Sequence, residues 1–235
     1  MPKDCFTVKN FRIDNNEISV SFRESIKAKR LLLSIDARKG IPKIVVPKGS
    51  TKSEVDLFLD KEASWILQKL KELPQPTLFE NGTKVPVMGT CCKIVHLPLL
   101  PLTVQREGNE IIVGGQHQEL KNKITRWLID ISHEKVKELA EKKARQVNGQ
   151  ISSVKVRDPQ TRWGSCSNKG NLSFSWRLVL APPSVMDYVV SHEVAHLKEF
   201  DHGVRFWKLV SHLCPGYKRP RSWLSNYGSK LLRYG

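Results

Sequence analysis

Two histidines and a glutamate are spaced for metal chemistry in the segment 192–196, which is His-Glu-Val-Ala-His. His192 and His196 are four residues apart, so on a helix both imidazoles lie on one face, one turn apart, and both reach a single ion. Glu193 lies about 100° around the helix axis from His192. It can therefore hydrogen-bond a water beside that ion without being a ligand. This is the H-E-x-x-H pattern of zinc metalloproteases, in which the glutamate is the general base.

A catalytic zinc site needs a third protein ligand and an open fourth position. We predict His202 for this role, because histidine is a preferred zinc ligand and lies within reach. A straight helix cannot supply it, since ten positions span about 15 Å along the axis. The chain must therefore leave the helix between His196 and His202, and the turn-forming residues 201–203 allow this. The other candidates for the third ligand are Glu199, Asp201 and His212.

An alternative is that His192 and His196 are ordinary helix residues without a metal. The apolar residues at 185–190 argue against it, since they favour a buried and rigid helix, which a metal site requires. The chain also contains a second His-Glu pair, at 133–134, in a charged helical stretch. A lysine stands there in place of the second histidine, so that pair is predicted to be exposed surface.

The charge of the chain is strongly basic. It has 235 residues, with 39 lysines and arginines against 23 aspartates and glutamates, giving a net charge of +16. Residues 1–115 hold 18 basic and 13 acidic side chains (+5), and residues 116–235 hold 21 and 10 (+11). The excess in the half that carries the histidines would attract polyanions or acidic surfaces. Nucleic acid is thus a second candidate partner, besides a peptide or protein substrate, although no nucleic-acid-binding motif is present.

Other features of the sequence bear on the class of protein. No run of about 18 apolar residues is present, so no membrane span is predicted. The first five residues lack the apolar core of a secretory signal, and we expect a cytoplasmic protein. The sequence gives no indication of oligomeric state. Five cysteines form no C-x-x-C pair, so we expect reduced thiols rather than disulfides or a cysteine zinc site. They are Cys5, Cys91, Cys92, Cys166 and Cys214.

Residues 1–115 are predicted to form a β-rich domain with one helix. Alternating and short apolar runs indicate a small β-meander, and an amphipathic pattern indicates the helix that follows it. The predicted elements are strands at 18–22, 31–35 and 44–46, a helix from a cap at Ser50, Thr51 or Ser53 to before Pro74, and a second β-rich stretch at 78–113.

Residues 116–235 are predicted to form the domain that carries the chemistry. The pattern changes at Gly114-Gly115, where helical periodicity begins. The predicted elements are a long helix at 117–147 ending at Asn148-Gly149, strands at 151–156 and 172–176, a helix opened by Pro182-Pro183, and helices at 203–213 and 222–232.

Further motifs resemble the YgjP-like metallopeptidase family, which is related to the SprT-like and WLM-type zinc peptidases. A specific one is Arg-Trp-Gly-Ser-Cys-Ser at 162–167. The resemblance covers nearly the whole chain. The residues that carry it are 162–167, 170–178, 181–182, 187–190, 192–193, 196–197, 202 and 206–207, with 46–49 and 65–66 in the N-terminal part.

This resemblance implies an α+β fold with a gluzincin-like zinc peptidase core. The core would consist of a long helix, a small antiparallel sheet and the H-E-x-x-H helix, next to a smaller N-terminal β-rich domain. The resemblance implies one Zn²⁺ held by His192, His196 and His202, with Glu193 as general base. The expected activity is hydrolysis of peptide bonds by a zinc-activated water. The relation to SprT-like peptidases suggests proteins bound to DNA as substrates.

Four further side chains are candidates for substrate binding. Trp163 is equally consistent with packing in the core. For Tyr188, four residues before His192, a core tyrosine is favoured over a substrate contact. The donor that stabilises the oxyanion is left open among Tyr188, Arg177, Tyr217 and Arg219. The substrate-binding candidates are Arg162, Trp163, Tyr188 and Arg219.

A different class of function is the main alternative. In it, the chain is a basic DNA-associated protein whose metal site is structural or vestigial. A structural zinc site normally fills all four positions with protein ligands, which favours the enzyme. The two hypotheses also combine, in a peptidase that the basic half delivers to DNA-bound proteins.

Overall fold

The computed structural model describes residues 7–13, 16–101 and 103–235. The chain divides into two compact units, Met1–Gln75 and Pro76–Gly235. This boundary differs from the one predicted after residue 115. The reason is that the second β-rich stretch shares the hydrophobic core of the C-terminal unit: Ile94 and Ile111 belong to the same buried cluster as Leu128 of the long helix.

The N-terminal unit consists of a four-stranded sheet and two helices: β1 (Thr7–Ile13), β2 (Asn16–Ser25), β3 (Leu32–Asp36), β4 (Ile41–Pro47), α1 (Lys52–Lys61) and α2 (Ala63–Glu72). The strand order is β1-β2-β4-β3, with β2 parallel to β4, so the predicted meander is wrong. The predicted single helix is interrupted at Glu62. Thr51 caps α1, as one of the three predicted caps, and forms a reciprocal capping box with Glu54.

The C-terminal unit contains two sheets and four helices within its described residues: β5 (Lys84–Val87), β6 (Thr90–Leu97), β7 (Val104–Glu107), β8 (Glu110–Gly114), α3 (Leu120–Gln146), β9 (Ser153–Arg157), β10 (Gly164–Cys166), β11 (Asn171–Ser175), α4 (Pro183–Ala195), α5 (Val204–Leu213) and α6 (Lys218–Leu231). The order β5-β6-β8-β7 repeats the topology of the first sheet. In the part of the chain that the structure describes, no helix is both long and apolar enough to cross a bilayer.

The smaller sheet of this unit has the order β10-β11-β9. It is mixed rather than antiparallel as expected, because β11 pairs antiparallel with β10 but parallel with β9. Strands β9 and β10 therefore lie on opposite sides of β11. Strand β10 is three residues long and was not predicted. It lies at the edge of the sheet, where β11 is the strand that pairs with it among the described residues.

Helices α3 and α4 form the centre of the unit. Every fourth residue of α3 from Leu120 to Ala144 is buried, which directs one continuous stripe of the helix into the core. Nine residues of α4 are buried as well. Helix α6 begins at Lys218, before the predicted start at 222, because Pro220 lies in the first turn, where proline needs no hydrogen-bond donor.

An ion pair between a buried lysine and a partly exposed aspartate connects these two helices. The Lys143 ammonium of α3 lies 2.8 Å from Oδ1 of Asp187 on α4 and donates a second bond of 2.7 Å to the carbonyl of Leu213. Lys143 is 6% exposed, so losing its partner or its charge leaves unsatisfied polar groups in the interior. The pair fixes α4 relative to the long helix.

We expect Lys143→Ala to lower the free energy of unfolding by about 2 kcal/mol, because the Asp187 carboxylate and the Leu213 carbonyl both lose the Lys143 ammonium as a partner. The partial exposure of Asp187 keeps this below the cost of a fully buried pair. A matched control on the same helix is Lys137→Ala, which removes an exposed contact with Glu141 and should cost less than about 0.5 kcal/mol. Urea unfolding of both variants measures the difference, and equal losses would contradict the role given to Lys143.

Candidate metal centre

Helix α4 carries the first two histidines. Pro183 opens the helix in its first turn, and apolar residues on several sides bury it, as the sequence predicts. His192 is half-buried in the last turn, and the helix ends at Ala195, with His196 as its C-cap. The two imidazole ring centroids are 5.0 Å apart.

The chain turns sharply after His196 and brings His202 back to the same place. The Nε2 atoms of His202 and His192 are 3.1 Å apart. One ligand nitrogen from each of His192, His196 and His202 lies within 4.8 Å of the others, and this is the group of potential metal-binding side chains found among the described residues. The break in the helix before His202, predicted from reach alone, is therefore present.

Two contacts orient these imidazoles. Nδ1 of His196 lies 3.0 Å from the backbone carbonyl of Glu199, so it carries a proton and donates it, which leaves Nε2 with the lone pair. The ring of Phe206, on α5, is fully buried and lies 4.6 to 4.9 Å, centroid to centroid, from all three imidazoles. Phe206 thus forms an apolar floor that restricts the tilt of each ring.

The electrostatic environment favours the neutral forms of His192 and His196. Burial, helped by the neighbouring imidazoles of His196 and His202 and by Arg221, lowers the pKa of His192 to about 4. Burial also lowers the pKa of His196. Nδ1 of His192 is buried without a hydrogen-bond partner among the described residues. A neutral imidazole offers a lone pair to a metal, which a protonated one does not.

Glu193 is buried beside this group. The residue is 6% exposed, and burial raises the pKa of its carboxyl group to about 7, against an opposing effect of the Arg162 charge. Gly164 of β10 lies directly against it: a Cβ at Gly164 would be 2.6 Å from both Cγ and Oε1 of Glu193. Glycine at 164 is therefore what allows the carboxylate to occupy this position.

A small cleft of about 180 Å³ opens onto His192 and Glu193. Tyr188 lines it at the start of a chain of aromatic rings, since Tyr188 stacks on Tyr217 at 6.3 Å and Tyr217 stacks on Trp207 at 5.4 Å. Burial raises the pKa of Tyr188, and the positive charge of Arg221 opposes that rise. The residues that line the cleft are Trp163, Gly164, Tyr188, Val189, His192, Glu193 and Leu224.

The structure separates the predicted substrate-binding residues into two groups. Trp163 and Tyr188 line the cleft, and Arg162 is close enough to act on the charge of Glu193. Arg219 instead lines a different groove, together with Trp223 and Asp187.

Other residues considered from the sequence have different environments. Arg177 is buried and bonded to Oδ1 of Asp158 and to the carbonyls of Leu231 and Tyr234, so it ties down the end of the chain. The thiol of Cys166, whose pKa burial and Glu193 raise to about 11, lies outside the three-histidine group. Cys91, Cys92, Cys166 and Cys214 are free thiols, and Cys5 lies outside the described residues.

Sequence reasoning missed three residues around the site. Phe206 belongs to a motif that carries the family resemblance, but nothing in the sequence assigns Phe206 or Leu224 to the site, because both reach it only through the packing of α5 and α6. Among the arginines of this segment, Arg219 is a candidate from the sequence and Arg221 is not. Extending the α6 periodicity back through Pro220 would have placed Arg221, and not Arg219, on the face of the helix that carries Leu224.

Converging imidazole nitrogens beside a buried carboxylate on an H-E-x-x-H helix are characteristic of metal-dependent hydrolases. The chain belongs to the YgjP-like metallopeptidase family, because the YgjP-like, metallopeptidase domain matches residues 29–227. Membership supports a metal-dependent peptidase that acts on a peptide or protein. No curated protein gives a match.

Two solved structures are similar to part of the chain. One is the metallopeptidase zymogen abylysin of Pyrococcus abyssi, with 26% identity over 42% of this chain and 97% of that chain, and a TM-score of 0.36. The other is the metallopeptidase zymogen jannalysin of Methanocaldococcus jannaschii, with 17% identity over 40% of this chain and 96% of that chain, and a TM-score of 0.35.

Because Gly164 lies against Glu193, a single methyl group added at residue 164 should displace the Glu193 side chain. We expect Gly164→Ala to displace the carboxylate of Glu193, the predicted general base, and so to lower the rate of peptide hydrolysis by about a hundredfold, as a displacement near 1 Å at a reacting group does. Gly203→Ala is the control, since a Cβ there meets nothing within 4 Å. Peptide turnover and bound metal are measured in both variants. Unchanged turnover in Gly164→Ala would contradict the position assigned to Glu193.

Proposed function

We propose that this chain is a zinc-dependent peptidase in which His192, His196 and His202 hold one Zn²⁺ and Glu193 is the general base. The observation that carries the proposal is the convergence of three histidine nitrogens within 4.8 Å beside a glutamate that is 6% exposed. The gluzincin-like core of this proposal consists of α3, the three-stranded sheet and α4.

The donor set fits zinc. Three imidazoles are a common ligand set for a catalytic zinc. The 3.1 Å between the Nε2 atoms of His192 and His202 is close to the roughly 3.3 Å that separates two nitrogen ligands of a tetrahedral zinc. When bound, zinc supplies a Lewis acid that polarises the scissile carbonyl and acidifies water.

Glu193 performs the proton transfers in the proposed reaction. Its carboxylate takes a proton from the attacking water and passes it to the leaving amine. Gly164 and the buried face of α4 hold the carboxylate in one orientation, so little reorganisation is needed during the reaction. The His196–Glu199 hydrogen bond and the Phe206 ring keep the imidazoles in place meanwhile.

The position of β10 supports an extended peptide as the substrate. Among the described residues this strand pairs with β11 alone, and its Gly164 lies against Glu193. A peptide that adds to the free edge of β10 would pass beside the carboxylate. Trp163 and Tyr188 line the adjacent cleft, which supports their proposed contact with the substrate.

The nucleic-acid hypothesis has one supporting feature, the net charge of +11 in residues 116–235. A structural zinc normally has four protein ligands, whereas the group of His192, His196 and His202 supplies three. The donor set therefore favours the peptidase. In a combination of the two hypotheses, the basic half delivers the peptidase to DNA-bound proteins. The positive charge is the observation that supports this combination.

We expect Glu193→Gln to retain zinc and to lose peptide hydrolysis by about a thousandfold, because glutamine is close in shape but cannot accept the proton. The matched control is Glu134→Gln, in the exposed His-Glu pair of α3, which should keep full activity. Turnover of a casein or peptide pool and zinc content are measured on both variants. Undiminished hydrolysis in Glu193→Gln would refute the assignment of the general base.

A further inference from the structure

One face of α6 is turned toward the catalytic cleft. Tyr217, at the N-cap, stacks on Tyr188, Leu224 lines the cleft, and a Cβ at Gly228 would lie 3.0 Å from the Trp163 ring. Positions 217, 221, 224 and 228 follow the spacing of a single helical face. Arg221 is therefore the charged residue of this stripe, one turn before Leu224.

The guanidinium of Arg221 is held close to the metal centre but keeps its charge available. It lies 4.6 Å from the centroid of Trp207, whose ring is 5.9 Å from His192 and 6.1 Å from His202. Arg221 is exposed, and in the described part of the chain no acidic side chain pairs with it. The contact with Trp207 restricts the long side chain and leaves its hydrogen-bond donors free.

The surrounding sequence is free of negative charge. From His202 to the last residue there is no aspartate or glutamate. The first turn of α6 likewise has no acidic residue, although a helix N-terminus favours one. The basic residues of this segment are Arg205, Lys208, Lys218, Arg219, Arg221, Lys230 and Arg233.

We propose that Arg221 binds a carboxylate of the substrate at the edge of the catalytic cleft and so makes acidic peptides the preferred substrates. This inference rests on the proposed peptidase function. The carboxylate is either an aspartate or glutamate side chain near the scissile bond or the terminal carboxylate of a peptide.

Arginine is suited to this role because its planar guanidinium donates two parallel hydrogen bonds to a carboxylate. If Arg221 only packed on Trp207, its position on the face of α6 that is directed toward the cleft would be unexplained. Packing alone also predicts no dependence of binding on the charge of the peptide, so the two roles differ in a measurable property.

The test compares Arg221→Gln with Arg219→Gln. Both variants remove one exposed arginine from the first turn of α6, but Arg219 lines the other groove. The probes are fluorescent decapeptides that differ by aspartate or asparagine on either side of the bond, each made with a free or an amidated C-terminus. Binding is measured on the metal-free protein and cleavage on the zinc-loaded protein, and thermal unfolding checks that each variant is folded.

We expect the wild type and Arg219→Gln to bind and cleave the favoured acidic peptides roughly tenfold better than their neutral partners, and Arg221→Gln to lose this preference. A preference that follows the aspartate identifies the side chain as the source of the carboxylate, and one that follows the free C-terminus identifies the terminus. Arg221→Lys keeps the positive charge but lacks the planar guanidinium, so we expect it to retain part of the preference for acidic peptides.

An unchanged acidic preference in Arg221→Gln would overturn the inference, as would its equal loss in Arg219→Gln. Tighter binding of a single-stranded oligonucleotide than of any acidic peptide, lost in Arg221→Gln, would replace the carboxylate with phosphate. If no peptide is cleaved but the metal-free protein shows the Arg221-dependent preference, the peptidase proposal fails and the role of Arg221 stands.

Discussion

Burial of α4 is the constraint on which the rest of the site depends. Nine of its 13 residues are withdrawn from solvent, so the helix cannot rotate or slide without opening the core. This fixes the directions in which His192 and Glu193 project. The same burial raises the pKa of Glu193 and lowers that of His192, so one packing arrangement determines both the geometry and the electrostatics of the centre.

The remaining parts of the centre are attached to this helix by a few contacts from neighbouring elements. The turn after α4 returns His202 toward His192, and α5 places Phe206 beneath the imidazoles. Strand β10 comes close enough to touch Glu193 only because residue 164 is glycine. Helix α6 closes the cleft with Leu224. All of these contacts depend on α4 being held by the core and by the Lys143–Asp187 pair.

Much of this arrangement could be predicted from the sequence, because regular spacing and side-chain chemistry are local. The long helix, the opening of α4 at Pro183 and the return of His202 follow from periodicity, capping and reach. The missed features are non-local. Strand β10 is too short to show an alternation of apolar and polar residues, and it is a strand because it pairs with β11. The boundary between the units depends on which hydrophobic core buries residues 76–115. The contact of Arg221 with Trp207 likewise depends on how α5 and α6 pack.

If His192, His196 and His202 hold one catalytic metal, the zinc content of the purified protein depends on His202. The protein is purified without added metal or a histidine tag and analysed by mass spectrometry, alongside His202→Ala and, as a control, His212→Ala, which alters an exposed histidine of α5. With this three-histidine site, we expect about one zinc per chain in the wild type and in His212→Ala, and a large loss in His202→Ala. Zinc retained in His202→Ala, or no zinc bound by the wild type even when it is offered, would contradict this assignment.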